Sequence, residues 1–200
     1  MAVEKETLYL SFDVEADGPD PSHNNMLSLG IYGFTKDKTE VFTWQRNFYP
    51  RPGKASDPEC MINFWSKNQK AWKFVNTNRE DPIKAFIDLA TELTKLVSFH
   101  GYQLEWIGFP AAYDWQWLNV YYQDMLMVYP QYEFIKLGYK ATCTSSLWTY
   151  WAKFNHLTKD QESALWKECS EGLISDHTPL VDAKCQGIIF YNLMKKMNLF

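Results

Sequence analysis

The stretch Ser11-Phe12-Asp13-Val14-Glu15-Ala16-Asp17-Gly18-Pro19-Asp20 places four acids within eight residues. Asp13, Glu15 and Asp17, followed by Gly18, have the spacing that opens an EF-hand calcium loop. Such a loop takes ligands at its first, third and fifth positions, Gly at the sixth and a bidentate Glu at the twelfth. Counted from Asp13, the twelfth residue is Asn24, which has no carboxylate, and Pro19 and Pro21 fall inside the loop. The loop should also follow a helix, whereas residues 7–13 (TLYLSFD) are rich in β-formers. The calcium reading fits poorly. On a strand, alternate residues share a face, so Asp13 and Glu15 converge while Phe12 and Val14 face a core. Side-by-side carboxylates repel unless a cation neutralises them. A frayed, solvated strand end accommodates the same pair, so the stretch by itself allows both.

The remaining elements follow from periodicity and punctuation. Residues 26–34 and 39–48 read as strands joined through Lys36-Asp37-Lys38 as a hairpin. A Pro/Gly loop spans 50–58, and Asp57 ahead of Pro58 signals a helix predicted to reach about Phe74. Asp81-Pro82 repeats that signal, with Ile83, Phe86, Ile87, Ala90 and Leu93 at helical spacing. A strand at 103–108 precedes a helix over about 113–128. Residues 132–139 are a strand or a loop, and helices are predicted over 145–154, 159–169 and 179–197. A meander of strands first, then strands alternating with helices, predicts one α/β domain over residues 1–200.

Composition narrows the function classes. Two hundred residues that are 46% hydrophobic suffice for one domain with a substantial core, and no apolar run is long enough for a membrane span. The start MAVEKETLYL has acids ahead of a short apolar run, unlike a secretory leader. Cys60, Cys143, Cys169 and Cys185 lack the close spacing of a zinc knuckle or a redox motif. They read as reduced thiols of an intracellular, cytoplasmic protein. A net charge of −4 argues against a broad nucleic-acid-coating surface. It leaves open a nuclease whose carboxylates become a positive site once cations bind.

Further acids head apolar stripes. Asp114 is followed by Trp117, Leu118, Tyr121, Tyr122 and Met125, and Asp182 by Cys185, Ile189 and Leu193. His177 lies in the loop before Asp182. Helix capping accounts for either aspartate about as well as chemistry does. It does not account for acids at the ends of a first strand, a middle helix and a last helix, with a histidine beside one of them. Four carboxylates can hold two Mg²⁺ or Mn²⁺ ions roughly 4 Å apart, clamping the attacking and leaving oxygens of phosphodiester hydrolysis. A neutral histidine can take the proton of the attacking water.

The segments FDVEADG, AYDWQWL and HTPLVDA resemble, in order, the three motifs of the DEDD 3′–5′ exonucleases. The third resembles the histidine subtype, His-x-Ala-x-x-Asp-Ala. This group includes ribonuclease T, oligoribonuclease and the proofreading subunit of DNA polymerase III. The resemblance runs from Asp13 to Asp182. It implies a ribonuclease H-like mixed sheet flanked by helices, and a 3′ end of single-stranded nucleic acid as partner. Asp13, Glu15, Asp114 and Asp182 would ligate two Mg²⁺ or Mn²⁺ ions, with His177 as general base. A homodimer, as in several relatives, is a further implication.

There are departures. Ala16-Asp17-Gly18 stands where the family usually has Thr/Ser-Thr-Gly, Pro179 replaces a small residue, and GFPAAYD lacks a common Asn. INFWSKNQKAW resembles the Trp-x-x-Gln segment of small bacterial exoribonucleases of the group. That implies Trp65 beside the terminal base and favours RNA, although Trp65 also suits simple core packing. Leu29 corresponds to a strand position that often lies against the terminal nucleotide. His23, His100 and His156 read as turn or helix-end residues, and Trp148, Trp151 and Trp166 as core. The competing function is a module that keeps the fold and binds nucleic acid without turnover.

Overall fold

The first strand carries alternate residues to two different surroundings. In β1 (Thr7–Ala16), Leu8, Leu10, Phe12 and Val14 are buried against one face, and Ser11, Asp13 and Glu15 point to the other. A computed structural model gives this arrangement and describes residues 5–133 and 135–200. The opening residues of MAVEKETLYL, on which the leader reading rests, lie partly outside that range.

β1 pairs antiparallel with β2 (Met26–Thr35), and β2 with β3 (Glu40–Phe48), which completes the expected meander. β5 (Gln103–Gly108) lies parallel to β1 on its other side. Two-residue strands that no periodicity could announce, β4 (Arg79–Glu80) and β6 (Thr142–Cys143), close the edges. The six-stranded order is β4-β3-β2-β1-β5-β6. Every residue of β2 is buried, because helices cover both of its faces.

On one face lie α3 (Pro82–Ser98) and α4 (Ala111–Val128). Phe86, Leu89 and Leu93 of α3 meet Trp117, Leu118 and Tyr121 of α4 over Phe12, Leu29 and Ile31. Asp81 accepts the backbone N–H of Lys84 at 3.0 Å and Pro82 opens the helix, the start that the sequence signalled. On the other face lies α7 (Pro179–Lys196), whose Ala183, Phe190 and Tyr191 pack on Tyr32, Phe34 and Ile107. α5 (Thr144–Phe154) and α6 (Lys159–Cys169) buttress α7 through Trp148, Leu165 and Cys169 against Cys185, Ile189 and Leu193.

The helix expected over 58–74 is broken. α1 (Pro58–Cys60) passes into a single π turn, Met61–Trp65, in which Ser66 N–H reaches the carbonyl of Met61 five residues back. The chain then leaves helical geometry at Asn68 (φ −111°, ψ 55°) before α2 (Gln69–Val75). Residues 132–139 form no strand among those described. A 3₁₀ turn (Pro130–Tyr132) leads into irregular chain, and Phe134 lies outside the described residues. Among the described residues no helix is long and apolar enough to cross a membrane.

Candidate active site

The end of β1 that carries Asp13 and Glu15 meets the first turns of α4 and α7. A glycine makes the second meeting possible. Asp13, Gly30 and Gln45 stand in one row across β1, β2 and β3. A Cβ on Gly30 would lie 2.3 Å from the Leu180 nitrogen, so only glycine lets α7 start directly on the sheet. Thr178 gives α7 no side-chain cap; the Gln45 Oε1 accepts Leu180 N–H at 3.2 Å instead. Pro179, which departs from the family pattern, occupies the first helical position, where its missing N–H is no loss.

Asp13, Glu15, Asp114 and Asp182 line one cavity of about 530 Å³ with His177, Ser175, Gln186, Tyr113 and Phe64. Three of the four acids are held by hydrogen-bond donors. Asp114, buried in the first turn of α4, accepts the backbone N–H of Val14 at 3.2 Å, tying helix to strand between Asp13 and Glu15. Asp13 accepts from Gln186 Nε2 at 2.7 Å. Asp182 accepts Ser175 Oγ at 2.6 Å and the backbone N–H groups of Asp176 at 3.0 Å and His177 at 3.1 Å. Those bonds fold the loop ahead of α7 back over the helix start. They hold His177 at φ 59°, a left-handed conformation costing on the order of 1–3 kcal/mol. His177 Nδ1 stands 3.6 Å from Glu15 Oε1, and its ring meets Phe64 edge-on at 4.8 Å between centroids. Glu15, His177 and Asp182 offer ligand atoms all within 4.8 Å of one another.

The electrostatics are those of a site built for cations. Desolvation, then the charges of Asp114, Glu15 and Asp182, hold Asp13 well above the usual carboxylate range, against the Gln186 hydrogen bond. Burial pushes Asp114 up to about 8, opposed by the Val14 N–H and helped by Glu15. Burial also raises Glu15, while the neighbouring His177 works the other way. The Glu15 carboxylate in turn raises His177 above its ordinary value. Among the described residues no lysine or arginine lines the cavity. Four carboxylates lining one cavity without a protein cation, beside the buried and unpartnered Gln186 Oε1, suit a hydrated divalent ion.

Two sequence expectations are corrected. Trp65 is 1% exposed, packs with Leu27, Ala71 and Val75, and donates Nε1–H to the Ala16 carbonyl at 3.0 Å. The ring that this segment brings to the cavity wall, beside Phe109 and Tyr113, is its neighbour Phe64, where the π turn shifts the helical phase by one residue. Leu29 is fully buried opposite Val14, on the face of the sheet away from Asp13 and Glu15. Asp17, where the family has a hydroxyl, turns from the cavity. It accepts Asn25 N–H at 2.6 Å, Asn25 Nδ2 at 2.9 Å and Ser56 Oγ at 2.8 Å, pinning the 17–25 loop. Sequence reasoning passed over Gln186, although it sits one turn after Asp182 on the same helix face, and over Ser175, for which no pattern spoke.

This sheet order, with acids brought together from β1, α4 and α7, is the ribonuclease H-like fold of the DEDDh exonucleases. The nuclease domain of 3′hExo, a DEDDh family member bound to rAMP, superposes with a TM-score of 0.61. The match covers 98% of this chain and 95% of that one at 11% identity. Escherichia coli exonuclease I, in a zinc-bound complex with single-stranded DNA, gives a TM-score of 0.65 at 11% identity. It covers 96% of this chain and 41% of the larger enzyme. In sequence, the chain is 26% identical over 192 residues to the 3′-5′ DNA exonuclease Cap18 of Escherichia coli, covering 95% of this chain and 92% of Cap18. No protein-family profile matches the chain.

Proposed function

We propose that this protein is a metal-dependent 3′–5′ exonuclease that releases nucleoside monophosphates from single-stranded nucleic acid. One observation carries the reading. Four carboxylates from β1, α4 and α7 converge with His177 in a cavity that, among the described residues, contains no lysine or arginine. Asp13, Glu15, Asp114 and Asp182 would hold two divalent cations, Mg²⁺ or Mn²⁺. Those ions supply charge neutralisation at the phosphate and a water of lowered pKa.

The chain's own groups do the rest. His177 has a side chain 40% exposed, so water reaches the imidazole, which takes a proton in its neutral form. Phe64 offers an apolar face beside that histidine, where a terminal base can stack. All five groups of the resemblance share this cavity, which supports turnover over a module that only binds.

The expectation of RNA rested on Trp65, and with that ring in the core the support falls away. Cap18, similar over nearly the full length of both chains, is a DNA exonuclease, and DNA is the substrate proposed. Matched DNA and RNA oligonucleotides labelled at the 5′ end, incubated with Mg²⁺ or Mn²⁺ and resolved by length, test both points. Stepwise shortening of DNA in preference to RNA is expected. Shortening of RNA alone would reverse the choice of sugar, and intact strands throughout would end the exonuclease reading.

A further inference from the structure

Among the four acids, Asp13 is held in a way that no motif signals. Asp114 and Asp182 are fixed by backbone N–H groups that the fold itself supplies. The hydrogen bond that the described residues give Asp13 comes from a side chain, the carboxamide of Gln186, 173 positions away. At 2.7 Å it is a short bond, with Nε2 toward Asp13 and Oε1 away from it.

That orientation leaves Oε1 buried without a donor. An orphaned buried acceptor is unfavourable, and a partly buried helix position one turn from Asp182 has many less costly occupants. Methionine or leucine would fill the same place between α7 and β1 without a polar atom to satisfy. A glutamine that orders a carboxylate in the cavity wall does what an apolar residue cannot.

We infer that Gln186 is a positioning residue for the cation site: its amide N–H fixes Asp13 for ligation. The inference rests on the metal-dependent reading above. Partners that orient a ligand in this manner typically change affinity 10–100-fold when removed.

The test is Mn²⁺ binding by calorimetry to the intact protein and to Gln186→Met, which keeps length and helix propensity but has no donor. Gln186→Ala, which cannot overfill the cavity, serves as a second variant should the first melt below the assay temperature. Weakening of Mn²⁺ binding by 10–100-fold is expected. The Mn²⁺ concentration for half-maximal rate should rise in parallel, and the rate at saturating Mn²⁺ should be largely restored. A purely structural role would instead lower the melting temperature and leave Mn²⁺ affinity alone. Wild-type affinity in a folded variant overturns the assignment of Gln186. Failure of the wild-type protein to bind Mn²⁺ at all overturns the metal reading beneath it.

Discussion

Gly30 stands opposite Asp13 across β1 and β2, and the backbone of Pro179 and Leu180 lies where a side chain on Gly30 would have to go. The clash is with main chain, which cannot rotate away. Gly30→Ala is therefore expected to lift the first turn of α7 off the sheet, costing about 1–3 kcal/mol. Its effect on the site should exceed its effect on the fold, because Asp182 rides on that turn and Asp13 does not. A thermal melt beside a Mn²⁺ titration checks this; full Mn²⁺ affinity in the variant would show that α7 need not touch β2 there.

The stability of the cation-free protein should fall between pH 6 and pH 8.5. Asp114 is raised to about 8 and Asp13 and Glu15 are also raised. The native state then binds more protons than the unfolded chain, and stability declines as pH climbs through the folded values. His177, also raised, acts in the same sense: the stabilisation from its charged form is lost as pH rises through its folded pKa. Divalent ions displace those protons, so Mn²⁺ should raise Tm more at pH 8.5 than at pH 6. At a hundred times Kd the gain is about 2.7 kcal/mol, roughly 5–10 °C for a chain of this size. Scanning calorimetry at the two pH values decides it; a larger gain at pH 6 would contradict the electrostatics.

His177→Ala should lower kcat by roughly 10²–10⁴-fold, the usual contribution of a general base. The rate of the unaltered enzyme should rise with pH as the imidazole loses its proton. Glu15→Gln removes the partner that raises His177. NMR of the cation-free protein should then show the imidazole midpoint above 6.5 in the parent and lower in Glu15→Gln. An unmoved midpoint would mean that Glu15 does not govern it.

Phe64 and Trp65 should separate cleanly. Trp65→Ala empties a core site and is expected to cost about 3–5 kcal/mol of stability. Phe64→Ala should leave stability much closer to the parent and raise KM by an amount equivalent to about 1–3 kcal/mol of base stacking. Steady-state kinetics on a short single strand, set beside urea melts, distinguish them. A KM effect confined to the tryptophan would return the stacking role to Trp65.

The contrast between these two rings shows where the sequence was legible. That Asp13, Glu15, Asp114 and Asp182 meet could be read because the first two end an alternating strand and the other two head apolar helical stripes, so periodicity sends all four to one end of the core. Trp65 could not. A π turn offers no composition signal, yet one extra residue in the turn exchanges which of two adjacent aromatics faces the cavity. Leu29 failed for a related reason. Its face depends on register with β1, and a shift of one residue turns it from site to core. Gln186 was hidden because the apolar stripe of α7 drew the eye to Cys185 next to it.

Asp13 and Glu15 are made first and Asp182 about 170 residues later, on an α7 that also covers Tyr32 and Phe34. Before α7 is added, three of the four acids stand at a sheet with one bare face, and neither His177 nor its backbone clasp on Asp182 exists. On the proposed reading, the cation site is complete only once α7 has docked on the sheet and brought Asp182 to Asp13 and Glu15.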